Sequence, residues 1–495
     1  MLADVTTKIK PTFPFLLVGV LAGLSMIIFL GFPLEWVLYC FMALFFLAVS
    51  FLLKDKKRYF EFLLIITLSI ARPFLIGEPF TWHFGGAQPV PELFMSDIWL
   101  VALLTLWFTN LFKPKYKVTF DIQYLDVAAF LFISWTIVSV IHAKNYALGF
   151  YEVIRLLRQI LLYFYISRNV KTEDDLKHIV FCLFMALLFQ GLLAVFQYLG
   201  GQMPFGFFQN TMSEEDTTGA FRVGSTLNGP SQLSQYFELL APLALAFTFY
   251  QKDNKYKLLF LALFSLGTVG IIFTFARAAI VSLGFAVFII LMLYLLSMPR
   301  GEMRKEKESF ILQTVLIVAA VYIIFTLLED EIMLRFVADD GGSADSRYPM
   351  MLVALTMIRQ NPIFGIGLNN FNEIMSYYDM YVFLPNPAYA VHNVYLFFAS
   401  EIGLPGLFIL FVVFALVYKK VYNILKLDRG LLKSVTIGLI AAITSYLFLH
   451  ANATLGFKYM VTIGSTLWLH FGLIVAMEKI VRQKQLPQTG ANAKI

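Results

Sequence analysis

The sequence predicts an all-α, polytopic integral membrane protein. Of its 495 residues, 59% are hydrophobic and 14% are charged, whereas roughly 25% of the residues in a soluble domain are charged. The mean hydropathy of +0.75 agrees with this class. The net charge of +6 does not indicate nucleic-acid binding, because membrane topology by itself requires cationic loops.

Fourteen apolar segments are long enough to cross a bilayer, which takes about 20 residues each. They lie near 12–32, 34–53, 60–76, 94–112, 125–143, 150–167, 178–199, 231–250, 258–275, 277–297, 309–328, 393–417, 435–451 and 458–478. The first has no small-residue cleavage site, so we interpret it as a membrane helix rather than a cleaved signal. Cys40 and Cys182 both lie in apolar runs, which argues against a disulfide framework or a cysteine metal site.

Lysine and arginine are distributed unevenly between alternate connecting segments. If the N-terminus is cytoplasmic, 28 of the 38 cations fall on the cytoplasmic side. This distribution predicts that both termini are cytoplasmic. The ten cations on the other side include eight arginines, and they are Arg72, Lys144, Arg155, Arg158, Arg222, Arg277, Arg335, Arg347, Arg359 and Lys458.

Arginine offers a planar fork that grips a phosphate or carboxylate in two places, whereas lysine is a point charge. We therefore expect some of these arginines to bind an anion. A structural role is the alternative for others. Arg155 and Arg158 lie one turn from Glu152 and could pair with it, and Arg72 could extend to the membrane interface.

Two external segments, 200–230 and 329–392, are long enough to carry function. The second contains "SRYPMMLVALTMIRQNP", which predicts a helix with Ser346 as its N-cap and Pro349 in its first turn, ending before Pro362. One apolar face predicts that this helix lies along the membrane surface. That face comprises Met351, Leu352, Leu355 and Ile358.

Four short motifs follow one another in the second half of the chain. "FRVGSTLNGPSQLSQYFELLAPL" spans 221–243 and "FTFARAAIVSL" spans 273–283. "NPIFGIGLNNF" at 361–371 contains a GxG that predicts a tight turn or close backbone approach at Gly365 and Gly367. "VHNVYLFFASEIGLPGLFILF" places a His-Asn pair before an apolar helix.

In this order and topology the motifs resemble the O-antigen ligase and O-antigen polymerase superfamily, over roughly residues 200–415. Arg347 lies where the family often has an arginine before the Pro-hydrophobic-Phe-Gly turn. Ala276 replaces the common serine before Arg277, and Ser231 and Gln232 stand where many members have asparagine. Neither departure removes a charged group.

The resemblance implies a GT-C-like glycosyltransferase. Such enzymes move a glycan from a polyprenyl (undecaprenyl) diphosphate carrier to an acceptor hydroxyl at the outer face of the cytoplasmic membrane. Arg222 and Arg277 match the family's arginines and are the predicted catalytic, diphosphate-binding residues, because fixed guanidinium groups stabilise charge that develops on phosphate oxygens. Arg347 is a third predicted diphosphate-binding residue.

A base is also needed, and with the family match His392 is the predicted one. From spacing alone, His392 or Asn393 could instead cap the following helix. Asn393, Gly365 and Gly367 are predicted to support the site. Glu401, in the following span, needs a partner, which could be one of the external arginines, and we interpret it as structural.

We expect no cofactor and no metal, because arginines can neutralise the diphosphate. The external acidic residues lie on Gly- and Ser-rich loops, which are usually solvated, and they are Glu214, Glu215, Asp216, Asp339, Asp340 and Asp345.

The expected organisation is an N-terminal bundle of about seven spans (1–199), a ligase/polymerase-like core (200–417), a C-terminal hairpin (418–480) and a cytoplasmic tail (481–495).

Fourteen spans rather than about twelve, and no further C-terminal domain, favour a polymerase of O-antigen, capsule or exopolysaccharide repeat units over an O-antigen ligase acting on lipid A-core or another acceptor. A lipid-linked oligosaccharide flippase or exporter is the competing class, although we find no internal repeat. A chain-length regulator or flippase is an expected partner, besides the lipid-linked donor, the glycan or lipid-linked acceptor and the bilayer.

Overall fold

The structure is a computed structural model. It describes residues 34–75, 90–112, 122–200, 213–215, 221–227, 229–297, 347–378, 390–428, 430–449, 451 and 456–485, together with single residues between 311 and 329. Several predicted features lie outside these residues: the span 12–32, Arg335, Ser346 and the tail beyond Gln485. The same holds for Asp216, Asp339, Asp340 and Asp345.

The described chain is almost entirely helical. Its helices are α1 (Leu34–Leu52), α2 (Lys56–Leu68), α3 (Met95–Leu111), α4 (Tyr124–Val140), α5 (Tyr146–Asn169), α6 (Glu173–Tyr198), α7 (Pro230–Tyr250), α8 (Asn254–Phe273), α9 (Arg277–Ser297), α10 (Arg347–Gln360), α11 (Phe371–Ile374), α12 (Val394–Leu427), α13 (Leu431–Phe448), α14 (Gly456–Tyr459) and α15 (Val461–Gln485). Two antiparallel strand pairs connect helices, β1 (Phe74–Leu75) with β2 (Glu92–Leu93) and β3 (Ser213–Glu215) with β4 (Phe221–Val223).

Six of the described helices are long and apolar enough to cross a membrane, namely α6, α8, α9, α12, α13 and α15. The predicted all-α membrane protein is therefore observed. Helix α2 has 13 residues, fewer than the roughly 20 that a bilayer requires. The number of fourteen spans and the GT-C-like architecture stay predictions.

Helices α7, α13 and α15 form the centre of the bundle. Helix α7 packs against α8 and α13, α15 packs against α5, and α12 packs against α4. The most apolar 18 residues of α13 are 83% buried within the protein, and those of α15 are all buried. A helix that is apolar on every side belongs in such a position, because neighbouring helices cover all of its faces.

The arginines of α5 have structural partners. Arg155 forms an ion pair with Glu152, as one of the two interpretations predicted. Arg158 does not pair with Glu152; its guanidinium lies 2.6 Å from the carboxylate of Asp97 on α3. The partner differs because α3 packs against α5 and brings a carboxylate to the face of the helix that Arg158 occupies.

Helix α10 has the predicted bounds, ending before Pro362. One face packs into a small apolar cluster, hereafter the α10 cluster, which comprises Met350, Val353, Ala354, Met357, Ile366, Phe371, Met375, Ala390, Val391 and Phe397. The predicted surface-facing residues Met351 and Leu355 lie on the other side and are 40% and 48% exposed. Both faces of α10 are thus apolar, and the face noticed in the sequence is the one the protein leaves uncovered.

Candidate active site

Helix α12 begins directly after the His-Asn pair. The side-chain oxygen of Asn393 accepts hydrogen bonds from the backbone N–H groups of Tyr395 and Leu396, each at 3.0 Å. Asn393 is therefore the N-cap, a position that favours asparagine because its side chain satisfies two otherwise unpaired donors. Of the two residues that could cap this helix, Asn393 is the one that does so, and the imidazole of His392 is not committed to capping.

The imidazole of His392 is half-buried, and its Nδ1 lies 3.1 Å from the carbonyl oxygen of Ala390. Since a carbonyl oxygen only accepts, Nδ1 carries the hydrogen and Nε2 of the neutral ring carries a lone pair. Burial, and next the positive charge of Arg347, lower the pKa of His392 below its usual value. The ring is consequently neutral near pH 7 and can accept a proton.

Arg222 and Arg277 lie on either side of one sharp turn. The Nε of Arg222, on β4, donates a 3.0 Å hydrogen bond to the carbonyl oxygen of Thr274. Phe275 follows with a φ of 52°, a conformation rare in a bulky residue, and Arg277 is the first residue of α9. The structure therefore places Arg222 against the turn that leads into Arg277.

Two pairs of residues lie at the same end of the bundle, hereafter the site end. They are Arg222 with Arg277 and Arg347 with His392. The hydroxyl of Tyr395 donates to the carbonyl oxygen of Leu447 at 2.6 Å, which joins the start of α12 to the end of α13. From α13, the hydroxyl of Tyr446 donates to the Gln235 amide oxygen at 3.0 Å, near the start of α7. A hydrogen bond from Ser282 to Glu238 joins α7 to the first half of α9, which begins at Arg277.

The GxG turn docks against a break in α12. Gly365 and Gly367 have φ values of +70° and +97°. Gly403, inside α12, has a φ of +73°, and Pro405 follows two residues later. A β-carbon on Gly365 would clash with the backbone of Glu401, and one on Gly367 would clash with Ala143. The tight turn and the close backbone approach predicted from the sequence are both present.

The break frees backbone groups of α12, and the turn satisfies them. The N–H groups of Ile366 and Gly367 donate to the carbonyl oxygens of Ser400 and Glu401 at 2.9 and 3.1 Å, and Leu404 N–H donates to the Pro362 carbonyl at 2.8 Å. Two side chains of α4 complete the set. Ser139 donates to the carbonyl oxygen of Glu401 at 2.7 Å, and the Trp135 indole N–H donates to that of Ile402 at 2.8 Å. These long-range bonds hold the motif at 361–371 on α12.

The sequence interpretation missed the role of Lys458. Its side chain is fully buried, and its ammonium lies 2.7 Å from the carboxylate of Glu401. An external arginine was one possible partner of Glu401, and the structure instead pairs it with Lys458, another of the ten external cations. A lysine next to the apolar start of the last span was the available signal, because a buried cation in a membrane protein needs an anionic partner.

Part of the chain is similar to a known protein family. Residues 239–411 match the family model described as O-antigen ligase. Over these residues the chain is similar to the O-antigen ligase family, and we call the segment 239–411 the O-antigen ligase domain. The predicted resemblance is confirmed over this segment. No curated protein matches the chain. A solved structure described as "Structural coordination of polymerization and crosslinking by a peptidoglycan synthase complex" is similar at 15% identity and a TM-score of 0.39, over 74% of this chain and 100% of that chain.

The O-antigen ligase domain contains most of the predicted site. Arg277, Arg347 and His392 lie within 239–411, as do the turn 361–371 and its docking partner α12 up to residue 411. Arg222 lies before the segment, and the structure connects it to the domain through Thr274. Lys458 lies after the segment and is connected through Glu401.

The described residues contain no group of three or more His, Cys, Asp or Glu side chains arranged to hold a metal ion. Of the external acidic residues named in the sequence analysis, the structure describes only Glu214 and Glu215, which belong to β3. The described candidate residues Arg222, Arg277 and Arg347 are cationic, which suits an anionic substrate.

Proposed function

We propose that the protein is a membrane glycosyltransferase, which transfers a glycan from a polyprenyl diphosphate carrier to an acceptor hydroxyl. The observation that carries the proposal is the His392 side chain. It is neutral, carries a lone pair on Nε2, and lies within the O-antigen ligase domain. Burial and then the positive charge of Arg347 lower its pKa. A base next to fixed cations is what a reaction with a hydroxyl nucleophile and a diphosphate leaving group requires.

In the proposed step, Nε2 of His392 takes the proton of the acceptor hydroxyl. The hydroxyl oxygen forms the new glycosidic bond to the anomeric carbon of the donor sugar. The bond from that carbon to the diphosphate oxygen breaks, and its electron pair stays on the diphosphate. The polyprenyl diphosphate leaves as an anion, and the proton on His392 is later released to solvent.

Arg222 and Arg277 bind the leaving diphosphate. They flank one turn at the site end, and Arg277 opens α9, where the backbone N–H groups of the first turn add positive potential. Arg347 contributes both to the binding of the anion and to the low pKa of His392. Asn393 and the glycines at 365 and 367 support the geometry rather than the chemistry.

Within this class we propose a polymerase of O-antigen, capsule or exopolysaccharide repeat units, supported by the predicted number of spans. It would lie in the bacterial cytoplasmic (inner) membrane with both termini cytoplasmic and the site on the external face, acting after a flippase and alongside a chain-length regulator. The reaction would be independent of metal. Treatment with EDTA should leave transfer unchanged, and a loss of transfer that Mg²⁺ restores would contradict this point.

The test is His392→Ala in a strain whose surface polysaccharide depends on this protein. The expected result is loss of polymer, with accumulation of lipid-linked repeat units on the external side. His392→Gln, which keeps hydrogen-bonding capacity but has no basic nitrogen, should behave in the same way. Normal length and amount of product from both variants would overturn the proposal.

Deletion of the whole protein distinguishes the remaining alternatives. Surface glycan reduced to single attached repeat units indicates a polymerase, and long unattached chains indicate a ligase acting on lipid A-core or another acceptor. Repeat units that remain on the cytoplasmic side indicate a flippase.

A further inference from the structure

We propose that Glu401 and Lys458 are positioning residues for His392. Their buried ion pair holds the segment 361–378 against α12, and this segment together with α10 holds the backbone that carries His392. The inference rests on the proposed function for the role of His392. The link between the ion pair and the segment can be measured without any assay of transfer.

The ion pair is deeply buried at the site end of the bundle. The side chains of Lys458 and Glu401 are 0% and 1% exposed, with 2.7 Å between Nζ and the carboxylate. The ammonium also lies 3.6 Å from the ring centroid of Phe397, and Arg155 donates a 3.1 Å hydrogen bond to the carbonyl oxygen of Lys458. Removal of one charge would leave the other buried and uncompensated, which is far more disruptive than loss of a surface pair.

The carboxylate of Glu401 reaches across to the loop after the GxG turn. It accepts hydrogen bonds from the backbone N–H groups of Asn369 at 2.7 Å and Phe371 at 3.1 Å. Phe371 is the first residue of α11, and the N–H groups at the start of a helix have no acceptor within the helix, so the carboxylate satisfies donors that need an outside partner. Each oxygen of the carboxylate accepts one of these bonds, and the ammonium of Lys458 lies beside them.

The loop in turn packs beneath His392. The ring of Phe371 meets that of Phe397 edge to face, with centroids 5.5 Å apart. Phe371 belongs to the α10 cluster, as do Ala390 and Val391, which are fully buried. His392 is the next residue along the chain. A displaced loop would therefore loosen the cluster and shift the imidazole relative to Arg347, which opens α10.

The central variant is Lys458→Met, which removes the cation and keeps the length of the side chain. It should lower kcat about 10²-fold, the effect of a displacement of about 1 Å at a reacting group, with the donor KM unchanged. Hydrogen exchange of the peptide 361–378 should accelerate, while α7 and α13 stay protected. Lys458→Arg keeps the charge and should restore both readouts in part.

Helix α12 offers a matched control at its other end. Lys420 is also buried, and its ammonium lies 2.6 Å from the carboxylate of Glu478. Lys420→Met therefore removes a buried cation from an ion pair on the same helix, far from the loop, while Glu478 keeps Arg482 as a second partner at 2.7 Å. Its kcat should be unchanged, and the exchange of 361–378 should match that of the wild type. An equal effect of both variants would show a general role in stability and overturn the proposal.

If Lys458→Met does not accumulate, the double variant with Glu401→Gln and Lys458→Met is used instead. It removes both charges, leaves no unpaired buried ion, and can be tested by the same two measurements, kcat and the hydrogen exchange of 361–378. Exchange of 361–378 at the wild-type rate in the variant that folds would overturn the positioning role. A fully active His392→Ala would instead contradict the proposed base, while faster exchange of 361–378 would still support the link between the ion pair and the loop.

Discussion

The backbone of Gly403 lies directly against the carbonyl group of Ile363. A β-carbon at position 403 would overlap that oxygen, and the φ of +73° is one that residues with a β-carbon rarely adopt. The GxG turn and the break in α12 thus form a single joint between two segments of the O-antigen ligase domain. This joint brings the carboxylate of Glu401 to the loop that packs below His392.

Gly403→Ala should therefore destabilise the protein strongly. The backbone conformation, with a φ of 73° and a ψ of 174°, is essentially restricted to glycine and alone costs alanine about 1–3 kcal/mol, and the clash with the Ile363 carbonyl adds to that cost. Thermal unfolding in detergent is the measurement, and we expect the midpoint to fall by several degrees, with loss of transfer.

The matched control is Gly284→Ala. Gly284 lies inside α9, and beyond its chain neighbours and the backbone of its own helix no atom lies within 4 Å of the position that a β-carbon would take there. Alanine at this position should be neutral or slightly stabilising, because it favours the helix. An unchanged midpoint for Gly403→Ala would contradict the role assigned to the joint.

Arg347→Gln should shift the pH dependence of transfer. The positive charge of Arg347 disfavours the imidazolium form and lowers the pKa of His392. Without it the pKa rises, so a larger fraction of His392 is protonated at a given pH. The acid limb of the kcat/KM profile should then move to higher pH.

Arg359→Gln is the control for this shift. Arg359 is exposed in the last turn of the same helix, and its removal should leave the acid limb in place. A profile that moves to lower pH, or moves equally in both variants, would contradict the assignment of the limb to His392 and Arg347.

Substitutions of Arg277 should show whether stabilisation of the leaving diphosphate needs the planar guanidinium or only a positive charge. Arg277→Gln should lower kcat by about 10²–10³-fold, the usual cost of losing one donor to a developing anion. Arg277→Lys keeps the charge without the bidentate geometry and should fall between this variant and the wild type. Steady-state transfer to a defined acceptor is the measurement.

Lys177→Gln provides the comparison, because Lys177 is an exposed cation paired with Asp174 and distant from the site end. It should transfer at the wild-type rate. Full activity of Arg277→Gln would remove Arg277 from the proposed diphosphate site.

Asn393→Ala should affect stability more than chemistry. It removes the acceptor for two N–H groups at the start of α12, a loss worth about 1 kcal/mol. Asn393→Asp and Asn393→Ser keep a capping oxygen and should restore the unfolding midpoint. If Asn393→Asp were as inactive as His392→Ala while fully stable, Asn393 would have a chemical role beyond the cap.

Features that depend on neighbours in the chain could be predicted from the sequence. The apolar composition identified a membrane protein. Pro349 and Pro362 marked the limits of α10, the residue before an apolar run identified a cap, and GxG indicated a tight turn. These predictions succeeded because helix caps, proline and glycine act through local backbone geometry, which a few consecutive residues specify.

The tertiary structure decided which distant groups meet. Glu401 pairs with Lys458 rather than an arginine, and Arg158 pairs with Asp97 rather than Glu152. Each outcome depends on how helices far apart in sequence align and rotate against one another. The sequence by itself determined the kind of protein and the local shape of its motifs, and only the packing of the bundle determined which buried charges face each other, because that depends on the register between helices rather than on any one helix.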